Sequence, residues 1–164
     1  MKIAIIGAGA AGIIAAITAK RLNKDLQIDL FDANKGIGKK ILASGNGRCN
    51  ISNSKVTSKN YLGENPDFTS FALKEFDFKA FEKFCKSVGL LLDIKPSGKV
   101  YPLSNEAKSV TNLLELALKE LDVNIHLESM ITDIEKVEDK FNIKTQDNEY
   151  KAYDKVLISN GLGA

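Results

Sequence analysis

Residues 2–32 read KIAIIGAGAAGIIAAITAKRLNKDLQIDLFD, and their order decides the fold. KIAII is a short unbroken apolar run that stops at Gly7, the pattern of a strand buried in a parallel sheet. GAGAAGIIAAITAKRLNK carries alanines and isoleucines through Leu22 with basic residues in its last turn, which predicts a helix packed on that sheet. LQIDLFD supplies the next strand. A strand, a helix and a strand within about thirty residues is the size of a right-handed βαβ crossover.

The glycines between strand and helix have distinct tasks. Gly7 permits the sharp turn off the strand, Gly9 lets backbone approach a diphosphate with no Cβ in the way, and Gly12 allows the helix to pack closely. The free amides around Ala10 and Ala11 and the helix dipole favour negative charge at that mouth. Asp32 closes the second strand twenty residues after Gly12, where a carboxylate accepts hydrogen bonds from ribose hydroxyls. The same carboxylate repels a 2′-phosphate, so a nicotinamide bound here would be NAD rather than NADP. Tight packing of an alanine-rich helix start is the plainer alternative for the glycines, and the strand, helix and acidic residue together favour the dinucleotide.

Outward from this unit, 164 residues suffice for one compact domain or one piece of a larger one. A net charge of +2 gives no reason to expect a nucleic-acid or membrane partner. Cys49 and Cys85 lie far apart without a CxxC pair or a nearby histidine, so neither a metal site nor a disulfide framework is expected, and a reducing cytoplasm fits. The apolar start resembles a secretory signal, but its ordered glycines argue against one, and no other stretch is apolar enough to span a bilayer.

Residues 39–53, KKILASGNGRCNISN, follow neither hydrophobic period and read as a polar loop, with a further irregular stretch through Pro66. FDFKAFEKFCKSVG predicts an amphipathic helix capped by Asp77, with Phe78, Phe81, Cys85 and Val88 on one face and Gly89 at its end. LLLDIK, the turn PSGK and VYP read as a hairpin, followed by a helix over about 105–121 and a strand in VNIHLE. From Met130 onward MITDIEKVE, KFNIKTQ and NEYKAY read as an antiparallel meander that returns through KVLIS to the parallel sheet, and NGLGA begins another turn.

FAD and NAD share the glycine fingerprint. A nicotinamide domain normally continues with further βαβ units, whereas a three-stranded excursion before the next parallel strand is the build of FAD domains. The expected fold is therefore α/β: a three-layer, glutathione-reductase-like, Rossmann-type FAD-binding domain with a parallel sheet and an antiparallel β-meander.

With GIGKKILASGNGRCNISN at 36–53, GAGAAG at the start, GKVYPLSNEAKSVTNLL at 98–114 and KVLISNG at 155–161, the chain resembles the YhiN/BaiN-like family of FAD-dependent oxidoreductases. The resemblance covers residues 1–164 as the N-terminal part of the family's chain. It implies a polar loop lying along the flavin. Lys39, Lys40 and Arg48 would neutralise phosphate or the pyrimidine end of the ring; Ser44, Asn46 and Asn50 would exchange hydrogen bonds; Gly45 and Gly47 would bring main-chain amides close. It also implies that Ile131 reads adenine through its backbone and that Gly161 is the glycine of the closing ATG-type turn. Asp32 stands where such domains more often have glutamate, and SNG where they have ATG.

The implied activity is hydride transfer between a nicotinamide cofactor, NADH or NADPH, and a small organic substrate. Cys49 is a candidate redox thiol beside the flavin or, more commonly for a lone cysteine, a packing residue. His126 alternates with Val123, Ile125 and Leu127 and reads as structural, and Tyr101 as a packing aromatic. The basic loop also suits an RNA backbone, although aromatics are not interleaved with its charges and there is no extended basic face. A third alternative is a dinucleotide-binding module without activity of its own.

Overall fold

The computed structural model describes residues 1–161. It parts into two compact units, one built from Met1–Ile41 together with the chain from Leu114 onward, the other from Leu42–Leu113. The first unit opens with β1 (Lys2–Ile6), α1 (Ala10–Leu22) and β2 (Gln27–Phe31). Gly9 precedes α1 in an extended conformation and gives it no side-chain cap. At the other end, the buried Lys20 ammonium donates to the carbonyls of Lys24 and Leu26 at 3.1 and 3.0 Å, bracing the turn into β2.

Residues 39–53 are not the uninterrupted loop their sequence suggests. They hold a five-residue helix, α2 (Lys39–Ala43), a 3-10 turn at Ser44–Gly47 and a two-residue strand, β3 (Ser52–Asn53). Elements this short contain less than one or two hydrophobic repeats, so no period can show. A further short helix, α3 (Ser70–Glu75), lies where no helix was expected; it buries no residue, so it carries no apolar stripe. In α4 (Phe78–Ser87) the Asp77 carboxylate accepts the Ala80 amide at 2.8 Å, as its capping position predicts. Strands β4 (Leu92–Ile94) and β5 (Lys99–Pro102) form the expected hairpin, and β3 pairs with the other edge of β5.

Helix α5 (Ala107–Glu120) carries the chain back into the first unit and leads to β6 (Asn124–His126). The meander is β7 (Ile131–Val137), β8 (Lys140–Thr145) and β9 (Glu149–Tyr153), antiparallel throughout, and β10 (Lys155–Ile158) returns to the main sheet. That sheet is parallel, in the order β10-β1-β2-β6. The architecture is the Rossmann-type arrangement expected, with a parallel sheet and an antiparallel meander.

Side chains alternate across β2, so Ile28 and Leu30 face one way and Asp29 and Phe31 the other. On the second face Ala4, Phe31, Ile143 and Tyr153 form a buried cluster between sheet and meander, with Ile131, Phe141, Tyr150 and Val156 against it. Burying a ring of this size stabilises the fold by about 1.5–3 kcal/mol. Asp29 is buried there as well. It accepts hydrogen bonds from Tyr153 Oη at 2.8 Å and from Asn124 Nδ2 and His126 Nε2 at 3.0 Å each. The His126 ring also stacks on Phe31, with centroids 4.6 Å apart. His126 is thus a structural residue that ties β6 to β2.

Candidate functional site

The three glycines of GAGAAG meet very different surroundings. Gly7 has φ +104°, and a Cβ on it would sit 2.8 Å from the Asn160 nitrogen, so the turn requires glycine twice over. A Cβ on Gly12 would run into the carbonyl oxygen of Gly7 and lie 2.6 Å from Ser159 Oγ. A Cβ on Gly9 would meet nothing within 4 Å. The outer glycines therefore serve the chain's own packing, and the middle one keeps a space open at the mouth of α1. Ala10 and Ala11 are exposed at that mouth. The Ile13 amide donates to the Gly9 carbonyl at 3.0 Å; the amides ahead of it have no partner one helical turn back.

Asp32, at the tip of β2, is tied to this turn. One carboxylate oxygen accepts the Ala8 amide at 2.7 Å; the other accepts the backbone and side-chain nitrogens of Asn34 at 2.8 and 2.7 Å. A carboxylate has about four acceptor positions, so these three donors leave one for a ribose hydroxyl. The Ala8 carbonyl accepts the Gly38 amide at 2.8 Å, closing the segment after β2 over the glycine turn.

The sheet order supplies the reason for a site here. The chain leaves β1 for β2 on one side, while β10 flanks β1 on the other. The carboxyl end of β1 is thus the point where strand order reverses, and open α/β sheets bind ligands in the crevice at such points. Lys39 and Lys40 are exposed at the start of α2, and Lys40 Nζ is 3.8 Å from where a Cβ of Gly161 would be. Ile131 opens β7, half-buried against the sheet–meander cluster, with a register irregularity before Asp133.

The other expected residues gather in the second unit. Gly45, Asn46, Gly47 and Cys49 all have positive φ, between 53° and 79°. A Cβ on Gly45 would sit 2.7 Å from the Asn50 nitrogen. The Cys49 amide donates to the Ser44 carbonyl at 3.0 Å, and the Arg48 guanidinium lies 5.6 Å from the centre of the Tyr101 ring. Asn46, Gly47, Arg48 and Asn50 are exposed and Cys49 is buried. Burial pushes the Cys49 thiol above its usual range despite a hydrogen bond with Ser44. The environment of Cys49 suits a packing residue, without the thiolate that Arg48 and the lysines suggest in sequence.

The sequence reading overlooked Ala8, Asn34, Gly38 and Ser159. Asn34 had a signal, since Asp-x-Asn is an Asx-turn pattern. Ser159 was marked only as the first residue of SNG in place of ATG, with no role to read, because its partners lie more than 150 residues away. Among the described residues no cluster of three or more His, Cys, Asp or Glu side chains has the grouping a metal needs, and no helix is long and apolar enough to cross a membrane.

Comparison with known proteins adds ancestry to this geometry. Residues 1–164 match the family described as HI0933-like protein Rossmann domain. The chain is 38% identical over 160 residues to a 3-dehydro-bile acid delta(4,6)-reductase of Clostridium scindens, covering 98% of the chain and 39% of that protein. It is 30% identical over 158 residues to a ribosomal RNA dihydrouridine synthase of Escherichia coli, covering 96% and 39%. The chain thus spans about two fifths of the curated relatives' length. In the same fold, the THI4 protein of Thermovibrio ammonificans superposes with a TM-score of 0.66 at 10% identity, covering 99% of the chain and 58% of that structure. The bacillithiol disulfide reductase Bdr of Staphylococcus aureus gives 0.54 at 17%, covering 98% and 38%.

Proposed function

The chain belongs to the HI0933-like Rossmann family, and we propose that it is the FAD-binding portion of a flavin-dependent reductase. The observation that carries this reading is the open space at Gly9, beside the exposed first turn of α1. Open space beside the free amides of a helix's first turn fits a diphosphate. FAD, when bound, supplies two-electron hydride chemistry.

The chain's own residues bind and orient. The amides of Gly9, Ala10, Ala11 and Gly12 take the diphosphate, and Gly7 sets the turn that presents them. Asp32 offers its remaining acceptor position to the adenosine ribose. Lys39 and Lys40 supply positive charge near Gly161, and Ile131 contributes backbone contacts to adenine. On the family resemblance, Ser44, Gly45, Asn46, Gly47, Arg48 and Asn50 are further cofactor contacts, while the buried Cys49 packs among them. Reducing equivalents come from NADH or NADPH. The free thiols of Cys49 and Cys85 suit a reducing cytoplasm.

The substrate proposed is a small unsaturated organic molecule. The name of one relative supports this: a 3-dehydro-bile acid delta(4,6)-reductase is named for reducing double bonds of a small molecule. A second reading, in which the double bond lies in an RNA base, draws on the dihydrouridine synthase relatives. An electrophoretic shift with structured RNA separates the two: salt-sensitive retention favours RNA, and free RNA at all protein concentrations favours the small substrate.

Titration of the chain with FAD, followed by quenching of flavin fluorescence, tests the binding assignment. Saturable one-to-one uptake is expected. Gly9→Val, whose side chain enters the open space while φ stays at −79°, yields a folded protein with no flavin uptake. A Gly9→Val variant that keeps stoichiometric FAD contradicts the assignment.

A further inference from the structure

The glycine turn does not hold itself. Its carbonyls lean on Ser159, the residue that follows β10 at the far end of the chain. The Ser159 amide donates to the Ile6 carbonyl at 2.8 Å, continuing the ladder between β10 and β1. The Ser159 hydroxyl then lies 3.0 Å from that same carbonyl and 2.9 Å from the carbonyl of Gly7. One hydroxyl proton is thus shared between the last carbonyl of β1 and the first of the turn. The Ile6 carbonyl stays in the ladder through the Ser159 amide, whereas the Gly7 carbonyl has left it as the chain bends away and without the hydroxyl would need another donor or solvent.

Gly12 makes room for this hydroxyl. The missing side chain of Gly12 leaves a niche bordered by the Gly7 carbonyl, and Ser159 Oγ sits 2.6 Å from where that Cβ would be. The backbone of Asn160 fills the corresponding place beside Gly7, at 2.8 Å. Strand end, turn and first helical turn therefore meet at one point, and the hydroxyl is the polar group at its centre. An alanine at position 159, as in an ATG-type strand end, keeps the ladder bond and loses both hydroxyl contacts.

We infer that Ser159 is a positioning residue for the diphosphate cradle: its hydroxyl fixes the Gly7 carbonyl and, through it, aims the first-turn amides of α1 at the ligand. This rests on the reading that the cradle takes FAD. The physical argument is preorganisation. Amides already held in place bind an anion without the cost of ordering them at the moment of binding. The role belongs to the hydroxyl, since the ladder bond survives its removal.

The test compares Ser159→Ala and Ser159→Thr with the unmodified chain, with two readouts. The first is the FAD dissociation constant. Loss of the shared hydrogen bond is expected to weaken FAD about three- to tenfold in Ser159→Ala, and Ser159→Thr, which retains a hydroxyl, returns to within about twofold. Leu118→Ala, a fully buried change in α5, calibrates plain destabilisation: it lowers the melting temperature and leaves FAD affinity in place. The second readout needs no ligand. Amide hydrogen exchange at Gly7, Ala8 and Ile13, the bonded amides that bracket the turn, accelerates in Ser159→Ala and recovers in Ser159→Thr, while exchange in the meander is unaltered.

Unchanged affinity together with unchanged exchange in Ser159→Ala overturns the proposal, as does an affinity loss matched by Leu118→Ala at equal destabilisation. If Ser159→Ala does not fold, Ser159→Cys takes its place, because a thiol keeps the volume and is a weak donor; wild-type affinity in that variant is equally fatal. Failure of the unmodified chain to take up FAD is a separate result. It removes the flavin reading and the ligand half of this inference, and the exchange data then decide alone whether the hydroxyl locks the turn.

Discussion

Gly9 and Gly12 look alike in the fingerprint and differ in consequence. Gly12→Ala drives a methyl into the Gly7 carbonyl and the Ser159 hydroxyl, an overpacked contact that costs about 1–3 kcal/mol. Urea unfolding in the absence of FAD should register that loss, whereas Gly9→Val should unfold near the wild-type midpoint. The cysteines make an independent prediction at this scale. Burial pushes the Cys85 thiol up to about 12, with Glu82 adding to the rise, and raises Cys49 as well. In the folded chain at neutral pH both should alkylate far more slowly than in urea, which mass spectrometry after a timed iodoacetamide pulse reads directly. Rapid modification of Cys49 alone would restore the reactive-thiol reading.

At the scale of elements, the meander is held to the sheet by more than apolar contact. Asp29 of β2 binds Tyr153 of β9 and both Asn124 and His126 of β6, while Lys2 of β1 lies 3.9 Å from its carboxylate and 4.2 Å from the centre of the Tyr153 ring. Burial pushes the Asp29 carboxyl upward, but the hydrogen bonds from His126, Tyr153 and Asn124 outweigh it and hold the group below its ordinary 3.8. A carboxyl depressed in the folded state stabilises the fold above its unfolded value, and that contribution is lost as pH falls through the folded one. Unfolding free energy should therefore drop below about pH 4 in the wild type, and Asp29→Asn should flatten that part of the profile while lowering stability at neutral pH. Tyr153→Phe removes a hydrogen bond to a charged group and should cost about 1.5–3 kcal/mol. None of this network was legible in the sequence: QIDLF reads as a strand whoever its partners are, and Tyr153 is 124 positions from Asp29. The elements themselves were legible wherever a period had room to repeat, as in α1, α4, α5 and the meander strands. The two one-turn helices and the two-residue strand, α2, α3 and β3, were not.

For the whole molecule, the informative division is between the part of the site built locally and the part built by topology. The glycine turn and Asp32 belong to one βαβ unit, so their spacing announced them. Ser159 and Asn160 reach the same turn because β10 pairs with β1, a juxtaposition that only the meander's return creates. The polar run Ser44–Asn50 was legible only as a stretch without a hydrophobic period; its positive φ angles are a finding of the structure, and its own unit orders it through the Ser44–Cys49 and Gly45–Arg48 backbone bonds. The central claim is that diphosphate docks on the amides at the mouth of α1. Its most direct test is a ¹⁵N-labelled chain titrated with FAD and followed residue by residue. The account predicts saturable shifts centred on Gly9, Ala10, Ala11 and Gly12, with Asp32 moving in parallel. Saturation with those amides unmoved would contradict it.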